Sequence, residues 1–361
     1  MPGMRIFESK PALRWLVPVV AVGVVSGTSL IAVSATADPA LPPRSAEQLL
    51  VDLQQANVDE FSGVVRQTSD LGLPELPGLG SGEHDTSLTS LISGTRTLKV
   101  WSAGEDKQRL AILGTYGETD LIRNGNDVWN WSSQDNAATR YRLDPGQRPD
   151  QKPDLPSDAP KTPQEAADRV LAAIDPTTAV STDRTVEVAG RDAYDLVLEP
   201  KQAGSLIRQV RLAVDAERYV PLRVQVFAAG ADPVFEVVFT SISFDRPEDQ
   251  FFEFNPPAGV TVTEAEAPAL HPSGPPRTED RPEPTIVGTG WAAVVVAETD
   301  LREPGQGSGE ADQILAALPR VSGSWGSGRL LTSKAFSAVI TDDGRIAAGA
   351  VAPEKLYDAL G

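Results

Sequence analysis

Four consecutive segments decide the fold of this chain: LVLEP (196–200), IRQVRLAVD (207–215), VPLRVQVF (220–227) and PVFEVVFTSISF (233–244). In the first three segments, apolar side chains recur at every second residue, as one buried face of a pleated strand requires. These alternating residues are Leu196 and Leu198, then Val210, Leu212 and Val214, then Leu222, Val224 and Val226. Asp195, Arg211 and Arg223 fall on the other face. The pattern predicts an antiparallel sheet with one apolar and one solvated face.

The apolar face of such a sheet needs a cover, which can be a second sheet, helices or an apolar ligand. Residues 162–165 (TPQE) begin a predicted helix with a capping box and a proline in its first turn. Val170 and Ile174 lie on the apolar stripe of this helix. A second helix is predicted over 45–57, with Ser45 as its N-cap. We expect the helix Ala167 to Ile174 and the segment Leu88 to Ile92 to be movable covers of a concave sheet.

The candidate site is an apolar cavity lined by the eight alternating strand residues together with Val170 and Ile174. Removing one methylene from water contributes about 0.8 kcal/mol, so an acyl chain of about 16 carbons has roughly 12 kcal/mol available before ordering costs. Such a site needs no directional chemistry. Ordinary core packing is the alternative interpretation for each of the ten residues.

Further segments complete the predicted architecture. Strands are expected at 61–68, 97–103, 109–113, 121–123, 127–131, 137–143 and 185–188, and the segment 251–257 is expected to close the sheet. Residues 263–284 are rich in proline, glutamate and threonine and are predicted to be a linker. Residues 285–361 are predicted to form a small α+β module, in which Asp342–Gly344 is a hairpin turn and 322–328 (SGSWGSG) is a flexible connection.

Composition excludes several classes of function. The 361 residues include 50 acidic and 32 basic residues, and a net charge of -18 repels phosphate backbones, which argues against nucleic-acid binding. The chain has no cysteine, and its two histidines, His84 and His271, are far apart in sequence. A metal site, a cofactor site or a Ser-His-Asp triad is therefore not predicted. Asp342 and Asp343 could form a hydrolase pair, but a DDG sequence is typical of a turn.

The N-terminus has the order of an export signal. Arg5, Lys10 and Arg14 precede the apolar run 16–33, and Ala35-Thr36-Ala37 follows it. The run is also long enough to span a bilayer as a retained anchor. Residues 1–37 are therefore predicted to be a signal peptide or an N-terminal transmembrane helix, with Asp38 onward outside the cytoplasm.

Several motifs resemble the LolA and RseB group of envelope proteins. They are Val188–Tyr194 (VAGRDAY) running on to Leu198 and Pro200, the strand 210–215 with Pro221–Val224 after it, the strand 235–244, the segment 252–259 (FEFNPPAG), and, upstream, 121–129 (LIRNGNDVW). They occur in the order that the group shows. The resemblance covers residues 45–262.

This resemblance implies an α+β fold, an open antiparallel half-barrel capped by helices, whose apolar concavity accepts acyl chains. In carriers of the group the cavity shields lipid-modified proteins, and in RseB-type proteins lipid or partner binding regulates an anti-sigma factor. We therefore expect an extracytoplasmic, membrane-associated protein that carries or senses lipids or lipoproteins. The alternative is a regulator that binds a membrane protein such as an anti-sigma factor. The module 285–361 does not match the group.

Overall fold

The computed structural model describes residues 41–56, 58–73, 94–143, 177–266, 284–298 and 315–361. The predicted signal or anchor segment, the helix with Val170 and Ile174, the segment 88–92 and most of the linker lie outside these ranges. Within them, no helix is both long and apolar enough to cross a bilayer. The described residues form two sheets, one of twelve strands and one of six.

The large sheet is open. Its strands are β1 (Glu60–Ser69), β2 (Gly94–Ala103), β3 (Lys107–Leu113), β4 (Glu118–Asn124), β5 (Asp127–Ser132), β6 (Ala137–Arg142), β7 (Thr178–Val188), β8 (Arg191–Pro200), β9 (Gln209–Asp215), β10 (Pro221–Phe227), β11 (Phe235–Ser243) and β12 (Thr261–Glu266). They lie in the order β12-β6-β5-β4-β3-β2-β1-β11-β10-β9-β8-β7, which ends in two separate edges. Neighbours are antiparallel except β12 and β6, which are parallel.

A tight turn fixes the register between β7 and β8, the strands that contain the first of the sequence motifs. Ala189 and Gly190 join β7 to β8 with φ values of 54° and 72°. Two consecutive residues in the left-handed region are what a type I′ hairpin turn requires. The turn places Val188 opposite Arg191. The motif VAGRDAY is therefore the turn from which the alternation of β8 starts.

Helix α1 (Ala46–Gln55) packs against strands β7, β8 and β9, near one edge of this sheet. The Ser45 side chain accepts a hydrogen bond from the Gln48 amide at 3.3 Å, and the Gln48 side chain accepts one from the Ser45 amide at 3.1 Å. This capping box confirms the helix start that the sequence predicts. Leu49 and Leu50 pack against Tyr194 and Leu196. The helix thus covers part of the predicted apolar face.

After β11 the chain crosses the opposite face of the sheet as a segment that we call the strap (residues 244–260). Its Phe252 is buried among residues of β2 and β3, and Phe251 stacks on Trp101 with ring centroids 5.3 Å apart. Phe254 lies 5.1 Å from Trp129, and the strap then continues into β12. The sequence predicted that this region ends the sheet, whereas the chain adds one more strand. The first residues of the predicted linker, 263–266, belong to that strand.

The second sheet contains six strands and one covering helix. The strands are β13 (Thr285–Val287), β14 (Val294–Glu298), β15 (Arg320–Gly323), β16 (Gly326–Thr332), β17 (Ser337–Thr341) and β18 (Arg345–Gly349), and α2 (Pro353–Leu360) follows them. Their order is β13-β14-β18-β17-β16-β15. Leu356 and Leu360 of α2 pack against Val294 and Val339.

Two details of the second sheet bear on the predictions. Residues 322–328, expected to be a flexible connection, form the β15–β16 hairpin, because Trp325 is buried and stacks on Tyr357. Asp342 lies in the turn between β17 and β18 and is paired with Arg320 at 2.7 Å. The α+β prediction is confirmed only in part, since the described residues are mostly β-strand with few helices.

Candidate apolar binding site

The eight predicted strand residues lie on one face of the large sheet. Side chains directly opposite one another in neighbouring strands share a face. Leu196 lies opposite Leu212, which lies opposite Val224. The remaining predicted residues follow the same register: Leu198 opposite Val210, Val210 opposite Val226, Tyr194 opposite Val214, and Leu222 two positions before Val224.

The same face continues across strands that the site prediction did not include. Val224 and Val226 lie opposite Val237 and Phe235 of β11, and the alternation then passes through β1 to β3. The added residues are Phe235, Val237, Phe239, Val65, Leu98, Val100, Leu110 and Ile112. We call these residues and the eight predicted ones the apolar face. The period-two pattern of Leu98 and Val100 was visible in the sequence, but not the pairing of β1 with β11.

Burial differs between rows of the apolar face. Val214, Leu222, Val65 and Ile112, in a central row, are at most 2% exposed. Across one end of the face runs a row of four residues from four neighbouring strands, which we call the outer row. It consists of Leu198, Val210, Val226 and Phe235, and each is only partly buried. In the predicted site, accessible surface therefore remains along the outer row and at Leu212, which is also partly buried.

Part of the predicted cavity lining is covered by the protein itself. Leu196 is completely buried, and Leu198 and Leu212 belong to the same cluster as Leu49 and Leu50 of α1. Core packing is thus the role of Leu196 in this structure. Val170 and Ile174 lie outside the described residues and stay a prediction.

The alternation predicted that the face opposite the apolar face is solvated. Near β8, however, this face carries a buried charge. Asp195 is 2% exposed and accepts a hydrogen bond from Arg211 Nε at 3.0 Å. Arg223 approaches the other carboxylate oxygen to 3.9 Å. Arg211 also donates to Asp183, and this hydrogen bond lowers the pKa of Asp183. Ala213 lies opposite both Asp195 and Arg223, and its small side chain leaves room for the charges to meet.

A second charged cluster lies beneath the strap. Arg109 donates to both carboxylate oxygens of Asp120, at 3.1 and 2.7 Å, and lies 3.7 Å from Glu118. Burial raises the pKa of Asp120, and burial together with the charge of Asp120 raises the pKa of Glu118. One arginine thus faces two carboxylates. The described residues contain no group of three side chains suited to hold a metal ion.

A cavity of about 440 Å³ adjoins the outer row. It lies where β1 ends and β2 begins, and its lining includes Ser69, Leu71, Leu73 and Gly94. Ser69 lies opposite Phe235 of the outer row. The cavity and the outer row therefore occupy the same end of the sheet.

Comparison with known proteins gives matches in structure alone, because no family model and no curated protein matches the chain. MucB matches with 14% identity and a TM-score of 0.39, over 86% of this chain and 94% of MucB. The MucA/MucB complex of Pseudomonas aeruginosa matches with 14% identity and a TM-score of 0.42, over 87% of this chain and 96% of that chain. A LolA superfamily protein from Nitrosomonas europaea matches with 14% identity and a TM-score of 0.21, over 59% of this chain and 99% of that one.

These identities and TM-scores are low, so no functional assignment depends on them. The matched structures include MucB, which is RseB-like, and a LolA superfamily protein, the two branches of the group that the sequence motifs resemble.

Proposed function

We propose that the protein is an extracytoplasmic binding protein that holds acyl chains of lipids or lipoproteins against its apolar face, as a carrier or a sensor. The outer row carries this proposal, because four neighbouring strands present apolar side chains that the protein covers only in part. An acyl chain lying along this row would remove further apolar surface from water. The basic, apolar and Ala-x-Ala order of residues 5–37 supports export.

The alternative is a regulator that binds a membrane protein such as an anti-sigma factor. One observation favours it. Ile286 and Val295 lie opposite each other on the second sheet and are 48% and 43% exposed. Exposed apolar side chains that adjoin one another are typical of interaction surfaces. Crosslinking in cells discriminates between the two functions, because a single membrane protein favours the regulator and many lipoproteins favour the carrier.

The binding proposal is tested on protein purified without detergent. Native mass spectrometry and lipid extraction should show bound acyl lipid. In a titration with a fluorescent fatty acid, Val210→Gln should weaken binding about tenfold, because the amide removes apolar contact from the outer row. Val262→Gln is the matched control, since Val262 is 47% exposed on β12, away from the apolar face.

Two results would count against the proposal. The first is wild-type protein that yields no acyl lipid and does not bind the fatty acid. The second is a Val210→Gln variant that binds as tightly as wild type while its Val262→Gln control behaves as expected. A stable fold in both variants is checked by circular dichroism.

A further inference from the structure

The second sheet and α2 contact one end of the large sheet. Trp291 Nε1 donates to Thr178 Oγ1 at 2.7 Å, at the first residue of β7. The Leu206 amide, between β8 and β9, donates to the Ala350 carbonyl at 2.7 Å. The Lys334 amide donates to the carbonyl of Leu71, just beyond β1, also at 2.7 Å. The described parts of the C-terminal region, residues 284–298 and 315–361, thus lie across the same end of several strands, and we call them the second module.

An apolar cluster joins the module to this end. It contains Ala228, Val234 and Ala335, with Leu71, Ile207, Val226 and Phe336 packed around them. Val226 belongs to the outer row as well as to this cluster. Ala335 and Phe336 of the second module therefore lie next to the accessible part of the apolar face.

The outer row lies at the strand ends that the module contacts. Phe235 is the first residue of β11, Val210 is the second residue of β9, and Val226 is the last but one of β10. The cavity of about 440 Å³ lies at the same end, and Asp70 and Leu71 of its lining contact Lys334. A ligand that reaches the outer row from this end must pass the second module.

The contacts at this junction suit a module that can move. The ion pair between Asp70 and Lys334 spans 2.6 Å, and the two side chains are 66% and 46% exposed. Exposed pairs of this kind contribute at most about 1 kcal/mol. The buried members of the apolar cluster are two alanines and one valine, with four partly buried side chains packed around them. Interfaces of modest size between domains generally permit relative motion.

We propose that the acyl chain enters at this end of the sheet and that the second module is the lid over the entrance. The inference rests on the proposed function, because it assigns an entrance to the same site. The lid closes through Ala335, Phe336 and the Asp70–Lys334 pair, and it opens when the module moves away from the strand ends. Uptake of a ligand then depends on the motion of the module.

The test fixes the lid with a removable crosslink. The chain has no cysteine, so Asp70→Cys with Lys334→Cys introduces the two reactive thiols of the molecule. They are joined in the full mature chain by a bis-maleimide that contains a reducible disulfide, and uptake of a fluorescent palmitic acid is followed by stopped flow. The crosslinked protein should take up the probe about tenfold more slowly, as expected when opening is required for entry. Reduction of the linker should restore the rate.

The matched control places the same crosslink between Arg140→Cys and Glu264→Cys. These residues form a 3.5 Å ion pair between β6 and β12, at the far edge of the sheet. Uptake by this control should equal that of the uncrosslinked protein. Equal uptake with and without the Asp70–Lys334 crosslink would overturn the lid and leave the binding proposal standing. Failure of the uncrosslinked protein to take up the probe would overturn both.

Discussion

At the scale of single residues, the burial of charge is the feature that alternation describes least well. Asp195 has the spacing of a solvent-facing residue, yet it is buried, with the half-buried Arg211 and Arg223 beside it. Alternation tells which side chains share a face, but not what covers that face. The charges remain buried because each carboxylate has a guanidinium partner, as buried charges require.

The cluster of Arg109, Glu118 and Asp120 predicts a dependence of stability on pH. The pKa of Glu118 is raised in the folded state, so the folded protein keeps a proton that the unfolded chain has lost once the pH exceeds the ordinary value of 4.5. The free energy of unfolding therefore falls as the pH rises through the window between the two pKa values. Glu118→Gln should remove part of this fall. Urea unfolding at a series of pH values measures it.

The matched control for this change is Glu253→Gln, because Glu253 is exposed. The control should follow the wild-type pH dependence. A Glu118→Gln variant whose unfolding free energy also changes with pH just as the wild type does would contradict the assignment. The comparison concerns the difference between variant and wild type. Carboxylates with a lowered pKa, such as Asp183, contribute equally to the pH dependence of both proteins, so their contributions cancel.

At the scale of elements, local features were predictable and crossing segments were not. Ser45 and Gln48 gave the start of α1, and the period-two residues of β8 to β10 gave the apolar face, because both signals reside in a few consecutive residues. The strap and β12 depend on contacts with strands far away in sequence. The glycines of 322–328 are typical of a loop, but burial of Trp325 turns that segment into a hairpin.

Phe252 is expected to anchor the strap. It is 1% exposed and packs against Trp101, Ala103 and Ala111. Phe252→Ala removes a large buried ring and should lower the free energy of unfolding by about 3–5 kcal/mol. Denaturant unfolding measures the change. Val262→Ala, on the exposed side of β12, should change stability by no more than about 0.5 kcal/mol. A loss at Phe252 as small as that at Val262 would show that the strap does not support the sheet.

At the scale of the whole molecule, the second module lies at one end of the apolar face, where Ala335 and Phe336 pack near Val226. Its place could not be predicted from the sequence, because the contacts that hold it, such as Leu206 with Ala350, involve loop residues without a recognisable pattern. The sequence predicted a module at 285–361, and binding a membrane partner was the alternative role considered for it. Its position beside the outer row is the observation behind the proposed lid.

Ala335→Glu should separate the module from the large sheet. Ala335 is 7% exposed within the apolar cluster, and a carboxylate there would lack a partner, which costs several kcal/mol. Small-angle X-ray scattering should show a larger radius of gyration, and binding of a fluorescent apolar dye should increase as Val226 and Val234 become exposed. Leu121→Glu is the control, since Leu121 is 43% exposed. Unchanged scattering by the Ala335→Glu variant, with the variant still folded, would contradict a junction held by this cluster.

The pairing of β1 with β11 has a consequence for how the chain reaches its folded state. Ser62 lies opposite Ser243, so the centre of the large sheet unites segments far apart along the polypeptide. Pairings of such long range form slowly, since a large loop must close before they contribute stability. A chain threaded N-terminus first through a translocation channel would hold β1 to β6 without their central neighbour until Ser243 had emerged. Slow assembly would keep the polypeptide extended enough for transport, and it would leave unpaired strand edges that need protection from aggregation until synthesis and transport are complete.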